Sequence, residues 1–172
     1  MSRTFNIGID IGLRGAIVVL SPEPFRKAIP PIQMPLIGKQ LDINTLYKYL
    51  SVYQNTDCHV VFEQLAPIFG TSKATAFSMG YQLGIFESIC VSLKLPYTKV
   101  PPKVWQKEMF MGVTEIIKQG KKRSRDTKAM ALIAAKRLYP DMDFLATADC
   151  HVPHDGIIDA LLMATYCQRK NK

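Results

Sequence analysis

A carboxylate set inside an apolar strand constrains this chain more than any other feature. Apolar residues recur at every second position of Phe5-Asn6-Ile7-Gly8-Ile9-Asp10-Ile11-Gly12, the period of a β-strand. Asp10 interrupts that run just before a Gly-x-x-Gly turn (Gly12, Gly15) and a second apolar run, Ala16 to Leu20. A carboxylate so placed is costly unless it is paired or holds a cation. Its hard oxygens suit magnesium. Glu63 repeats the problem at the end of His59-Val60-Val61-Phe62-Glu63, a segment too short and too apolar to be anything but a buried strand. Asp155 and Asp159 follow at the head of the last helical pattern, four residues apart and therefore on one helix face.

The rest of the chain reads as a mixed α/β order. Strands are expected at about 5 to 11 and 15 to 21. A passage rich in proline (Pro22, Pro24, Pro30, Pro31, Pro35) follows, with room for a short strand near 32 to 35. Asp42 or Asn44 caps a helix ending near Tyr53, the Glu63 strand comes next, and a long helix runs from Ser72 to about Lys94. Ala74, Phe77, Tyr81, Ile85, Ile89 and Leu93 make that helix apolar around much of its girth, so it belongs at the centre of the fold or against a second subunit. Tyr81 and Phe86 are expected in the core or at such an interface. A strand from Pro96 to Val100, a helix over 103 to 111, a basic loop, a helix from Asp126 or Thr127 to Tyr139 and a last helix from Pro153 to about Gln168 complete the order. Trp105, the lone tryptophan, anchors the short helix in the core. No repeat or Gly/Ser linker divides the chain, so residues 1 to 172 form one domain.

Composition sets the broad class. With 172 residues and 48% hydrophobic content the chain can bury a substantial core. No apolar run reaches the roughly 18 residues of a membrane span, and no signal-peptide pattern opens the sequence. A cytoplasmic protein is expected. Cys58, Cys90, Cys150 and Cys167 are widely spaced and read as reduced core thiols. Cys150, His151, His154 and Cys167 lack the pair spacing of a zinc site. Twenty-two Lys and Arg against 14 Asp and Glu leave a formal charge of +8. The excess gathers between Lys118 and Lys128, where Lys121, Lys122, Arg123 and Arg125 also stand and Asp126 is the single acid. A solvated loop accounts for such a run by itself, but beside a candidate metal site a phosphate-binding surface is the stronger reading.

Gly8-Ile9-Asp10-Ile11-Gly12 with Gly15-Ala16, then Val61-Phe62-Glu63-Gln64, then His154-Asp155-Gly156 leading to Asp159-Ala160-Leu161, together resemble the RuvC family of Holliday-junction resolvases. Val100-Pro101-Pro102, Asp126-Thr127-Lys128 and the closing helix resemble it too, so the likeness spans nearly the whole chain. The short phage-type and virus-type members are the nearest in character, which would make the location a host-cell cytoplasm. The resemblance implies a ribonuclease H-like fold, a mixed five-stranded sheet flanked by helices. It also implies that Asp10, Glu63, Asp155 and Asp159 ligate two magnesium or manganese ions. The family commonly spaces its last two acids three residues apart, whereas here that position is Gly156 and Asp155 lies four before Asp159. His154 is the fallback ligand.

Two cations about 4 Å apart activate water and relieve charge on the phosphate and leaving oxygen, giving 5′-phosphate and 3′-hydroxyl ends. On the family pattern Asp10 bridges the ions and Lys128 approaches the scissile phosphate. Lys103, Lys107, Lys118, Lys121, Lys122, Arg123 and Arg125 are further candidates for DNA contact, and Phe69 for stacking at the junction centre, where core packing is the plainer alternative. A four-way junction has approximate two-fold symmetry, so paired nicks imply a homodimer. The expectation is a nuclease that resolves branched DNA, with no membrane partner and no nucleotide cofactor. Its alternatives are another ribonuclease H-like nuclease cutting RNA–DNA hybrids or flaps, and a junction-binding protein without cleavage. The Gly8 to Gly12 motif also resembles the first phosphate motif of sugar kinases and actin-like ATPases, but those need two such domains.

Overall fold

The computed structural model describes residues 4–22, 28–64, 72–118 and 124–171. In chain order the elements are β1 (Phe5–Asp10), β2 (Ala16–Leu20), β3 (Ala28–Gln33), β4 (Leu36–Ile37), β5 (Gln40–Leu41), α1 (Ile43–Ser51), β6 (Cys58–Glu63), α2 (Lys73–Ser92), β7 (Tyr97–Val100), α3 (Pro102–Met109), β8 (Ile117–Lys118), β9 (Ser124–Arg125), α4 (Thr127–Leu138) and α5 (Asp155–Lys170). Five strands form the main sheet in the order β3-β2-β1-β6-β7. β2 runs antiparallel to β1 and β3, and β6 runs parallel to β1 and β7. The mixed five-stranded sheet flanked by helices is the architecture expected from the sequence.

Three local expectations need correction. The strand placed near 32 to 35 begins at Ala28 and contains Pro30 and Pro31. Proline survives there because β3 is an edge strand and the register slips between Ile17 and Val19, so a bulge takes up the residues that cannot donate to the ladder. A short hairpin, β4 with β5, follows it. The basic segment is likewise more than a loop, because Ile117 pairs with Arg125 and Lys118 with Ser124. Helix starts follow their caps: the Asp42 carboxylate accepts from Thr45 N at 3.0 Å and that of Asp126 from Ala129 N at 3.2 Å.

The pleat sorts side chains to the two faces of the sheet. Ile7, Ile9, Ile17, Val19, Val60 and Phe62 point to one face, where they pack with Leu46 and Leu50 of α1 and Ile85, Phe86 and Ile89 of α2. Val18, Leu20 and Val61 point to the other, against α3, α4 and α5. The long helix divides along its length. Its C-terminal half supplies core residues including Phe86, whereas Phe77 and Tyr81 in the N-terminal half are 76% and 58% exposed, so Tyr81 is not a core residue.

α5 lies directly on the sheet because the contact is built from small residues. A Cβ on Gly8 would stand 1.9 Å from the Ala160 carbonyl oxygen and 2.6 Å from Ala164 N, both of them backbone atoms with no room to yield. Gly8→Ala should therefore force α5 off β1 and destabilise the domain by about 3 kcal/mol. Gly80→Ala is the contrast, since a Cβ there meets nothing within 4 Å and should raise helix stability by a few tenths to about 1 kcal/mol. Urea unfolding of both variants checks the pair. Equal stability of Gly8→Ala and the parent would refute the close contact.

Candidate active site

The parallel pairing of β1 and β6 ends with Ile9 opposite Phe62, which carries Asp10 and Glu63 out side by side at the C-terminal edge. Alternation puts both on the α5 face, since Gly8 meets α5 and Val61 belongs to the core on that side. α5 begins just beyond this edge. Its N-cap is His154, whose Nδ1 accepts from Ile157 N at 3.2 Å, and its first turns bring in Asp155 and Asp159. That ring nitrogen is thus engaged in holding the helix start, which weighs against His154 as the fallback ligand.

Gly156 explains the unusual spacing of the last two acids. A Cβ there would lie 2.7 Å from the Arg14 carbonyl oxygen, 2.9 Å from Gly15 Cα and 3.0 Å from Asp10 Oδ2. The helix start is pressed so closely on the β1–β2 turn that no side chain fits at 156. The carboxylate one residue earlier, Asp155, is exposed instead and forms an ion pair with Lys128 at the start of α4.

Asp10, Glu63 and Asp159 keep only partial exposure, and their acidities show the cost. Burial, then repulsion from Asp159, Glu63 and Asp155, pushes the Asp10 carboxyl from an ordinary 3.8 up to about 8, against a smaller pull from Lys128. Burial and then Glu63 and Asp155 push Asp159 from 3.8 up to about 7. Burial also raises Glu63, although a hydrogen bond from Trp105 opposes the rise. Trp105 is fully buried, as expected of a core anchor, and also does something the sequence did not reveal: its Nε1 donates to Glu63 Oε1 at 2.9 Å. A buried indole N–H needs a partner, which was the available signal.

Among the described residues, no three His, Cys, Asp or Glu side chains already converge as a finished metal shell, at the dismissed zinc positions or elsewhere. The donor set nonetheless fits a hard divalent cation. Repulsion from neighbouring carboxylates, Glu63 among them, adds to burial in raising the pKa values of Asp10 and Asp159, and added positive charge relieves that repulsion directly. Asp10, Glu63 and Asp159 are the inner candidates and Asp155 stands at the mouth.

The remaining sequence candidates are mostly exposed where they are described. Lys103 and Lys107 are exposed on α3, and Lys118 is exposed on β8. Arg125 on β9 pairs with Glu115 at 2.5 Å. Phe69, Lys121, Lys122 and Arg123 lie outside the described residues. Cys58, Cys90, Cys150 and Cys167 are free thiols, and all but Cys150 are buried.

The raised pKa values of Asp10 and Asp159 carry a sign that can be tested. In the metal-free protein, stability is fully present below about pH 4 and is lost as pH rises through about 7 to 8, because the unfolded chain ionises these acids freely. Melting should therefore fall between about pH 5 and about pH 8, by an amount on the order of a few kcal/mol. Millimolar magnesium or manganese should restore more stability at the upper pH than at the lower, and Asp10→Asn should flatten the slope. A pH-independent melting temperature in chelator would contradict the strained acid cluster.

No family model matches the sequence, and no curated protein matches it. Solved structures do. A Thermus thermophilus RuvC structure superposes with a TM-score of 0.58 at 14% identity, covering 96% of this chain and 95% of that one. The T. thermophilus RuvC in complex with a Holliday junction substrate gives 0.61 at 12% identity, covering 96% and 94%. The chain therefore has the RuvC-like, ribonuclease H-like fold over nearly its whole length.

Proposed function

We propose that this chain is a metal-dependent endodeoxyribonuclease that resolves four-way DNA junctions by paired symmetric nicks. The observation that carries the reading is the meeting of Asp10, Glu63 and Asp159 at the edge of the sheet, mostly withdrawn from water and mutually repelling. These three, with Asp155, would hold magnesium or manganese ions, which when bound supply an activated water and charge relief at the phosphate. Trp105 fixes the orientation of Glu63. Lys128 offers its ammonium group at the open side through Asp155, where a strand phosphate competes for it. Lys103, Lys107, Lys118 and Arg125 add phosphate contacts beside the cluster, in a chain of formal charge +8. The fold shared with a RuvC bound to a Holliday junction substrate supports a branched substrate.

Paired nicks ask for two sites about a two-fold axis, and α2 offers the surface for it. Phe77 and Tyr81 stack at 6.5 Å on its exposed half, and Gly80 and Gly84 leave open backbone beside them. An aromatic patch flanked by bare backbone suits close approach of a second copy.

The deciding experiment compares a synthetic immobile four-way junction with linear duplex, flap and RNA–DNA hybrid, with and without magnesium or manganese. Symmetric paired nicks in the junction are expected, reduced to background by Asp10→Asn and Asp159→Asn. Preferential cutting of hybrid or flap would reassign the substrate, and tight junction binding without cleavage under any metal would remove the enzymatic reading. Trp105→Phe keeps an aromatic core but loses the Glu63 hydrogen bond. It should slow nicking about ten- to a hundredfold while junction binding is held. Separately, the double variant Phe77→Glu, Tyr81→Lys should sediment as a monomer and lose coordinated second-strand nicking, whereas an unchanged sedimentation profile would rule out the α2 interface.

A further inference from the structure

We propose that the cavity enclosed by α3, α4 and the β8–β9 hairpin is a nucleotide subsite that seats one unpaired nucleotide of the DNA strand beside the acid cluster. It rests on the nuclease reading in one respect only, the identity of the strand as substrate. The space measures about 480 Å³, within the roughly 300–1,000 Å³ of small-ligand sites. Its floor is apolar, made by Phe110, Val113 and Met130, of which Phe110 and Met130 are buried. Its rim carries Lys103, Lys107 and Arg125. A nucleotide presents that same division, a flat π-face and a phosphate.

Two other hollows among the described residues lack this pairing of chemistries. The groove between α1 and α2, lined by residues such as Ile43, Tyr47 and Tyr81, carries no charged side chain, and neither does the hollow beside Gly12, Leu13 and Met79. Charge placement within the cavity also favours an anion. Lys103 and Lys107 stand four residues apart on one face of α3, and among the described residues no ion pair holds either. Arg125 lines the cavity and pairs with Glu115 through Nε, a contact that uses one of its three guanidinium nitrogens. Of the nearby acids, Glu115 is spent on that pair and Asp126 caps α4. Thr127 brings the first turn of the twelve-residue α4 to the cavity wall.

Position ties the cavity to the reaction site. Gln106 lines it and is the chain neighbour of Trp105, which holds Glu63. Thr127 lines it and is the neighbour of Lys128, which holds Asp155. A strand whose phosphate enters the acid cluster can therefore place an adjacent base in the cavity without crossing the sheet. Junction centres and opened duplexes supply such unpaired nucleotides, whereas closed duplex does not.

The test uses the full chain and a 5′-phosphorylated deoxytrinucleotide as probe, read by methyl NMR at Val113 and Met130. Saturable shifts at both methyls are expected at up to millimolar probe, and they should vanish in the double variant Lys103→Gln, Lys107→Gln. Methyls that stay unmoved throughout would overturn the proposal. On junctions, an abasic site scanned along the strand should weaken binding at one position by about tenfold, the size of one lost base–aromatic stack. Val113→Phe, which fills the space from its floor, should bind intact junction about as poorly and ignore the abasic scan. Uniform tolerance of abasic sites alongside normal nicking would sink the subsite and leave the resolvase reading standing. Methyl shifts with no junction cleavage would do the reverse.

Discussion

Everything at the candidate site depends on how closely α5 can lie on β1. The helix rides over Gly8 with its own backbone at Ala160 and Ala164, and its start presses on the β1–β2 turn through Gly156. That descent delivers Asp159 to Asp10 and Glu63. Carboxylates brought together in partial burial repel one another and lose hydration, so the arrangement opposes its own formation. It is held by the buried core beneath it, in which Ile157, Ile158, Leu161 and Leu162 pack with Val18, Val61, Trp105 and Met130. Apolar burial on that scale outweighs one strained cluster, since each large side chain withdrawn from water contributes about 1.5–3 kcal/mol.

Strain of this kind is a resource for binding a cation. A site whose acids are already desolvated and crowded gains more from positive charge than one whose acids sit in water. Protons occupy that role in the metal-free protein, which is why Asp10 and Asp159 hold theirs to about pH 8 and about pH 7. Asp155 differs because it is exposed and has Lys128 beside it. The inner acids are thus poised for metal and the outer one is already neutralised by a lysine. On the proposed reading burial divides the labour: the three acids inside the rim and Asp155 at its mouth would hold the small hard ion, and Lys128 would meet the larger, solvated substrate.

Much of this was legible in the sequence, and the reasons differ by residue. Asp10 stands out by interrupting a period-2 apolar strand and Glu63 by closing a short continuous apolar one, signals that survive whatever the tertiary context. Asp42 and Asp126 were readable as helix caps because capping is local chemistry. β3 was misplaced because proline argues against a strand until edge position and a bulge excuse it, and both are properties of the assembled sheet. Gly156 looked like a missing ligand and proved to be a contact surface, because only the docked helix shows what a Cβ would strike. Trp105 was read as packing alone, since no local pattern says which buried acceptor an indole will find across the core. Tyr81 followed helical spacing like its neighbours, yet spacing cannot show where along a long helix the domain ends.

The acid cluster and the surface around it answer separate questions. Carboxylates and metal respond to phosphate geometry, which duplex, hybrid and junction share, so the cluster sets the reaction and leaves the substrate open. Selectivity has to come from features that recognise branching: symmetry between two sites, and accommodation of bases freed from pairing. The surfaces proposed for those tasks lie on opposite flanks of the sheet. The exposed aromatic half of α2 belongs to the helix layer on one face, and the cation-rimmed cavity of α3 and α4 to the layer on the other. The α3 layer is joined to the cluster by the Trp105 hydrogen bond to Glu63. Glu63 is therefore the residue through which a nucleotide in the α3–α4 cavity would bear on the proposed chemistry.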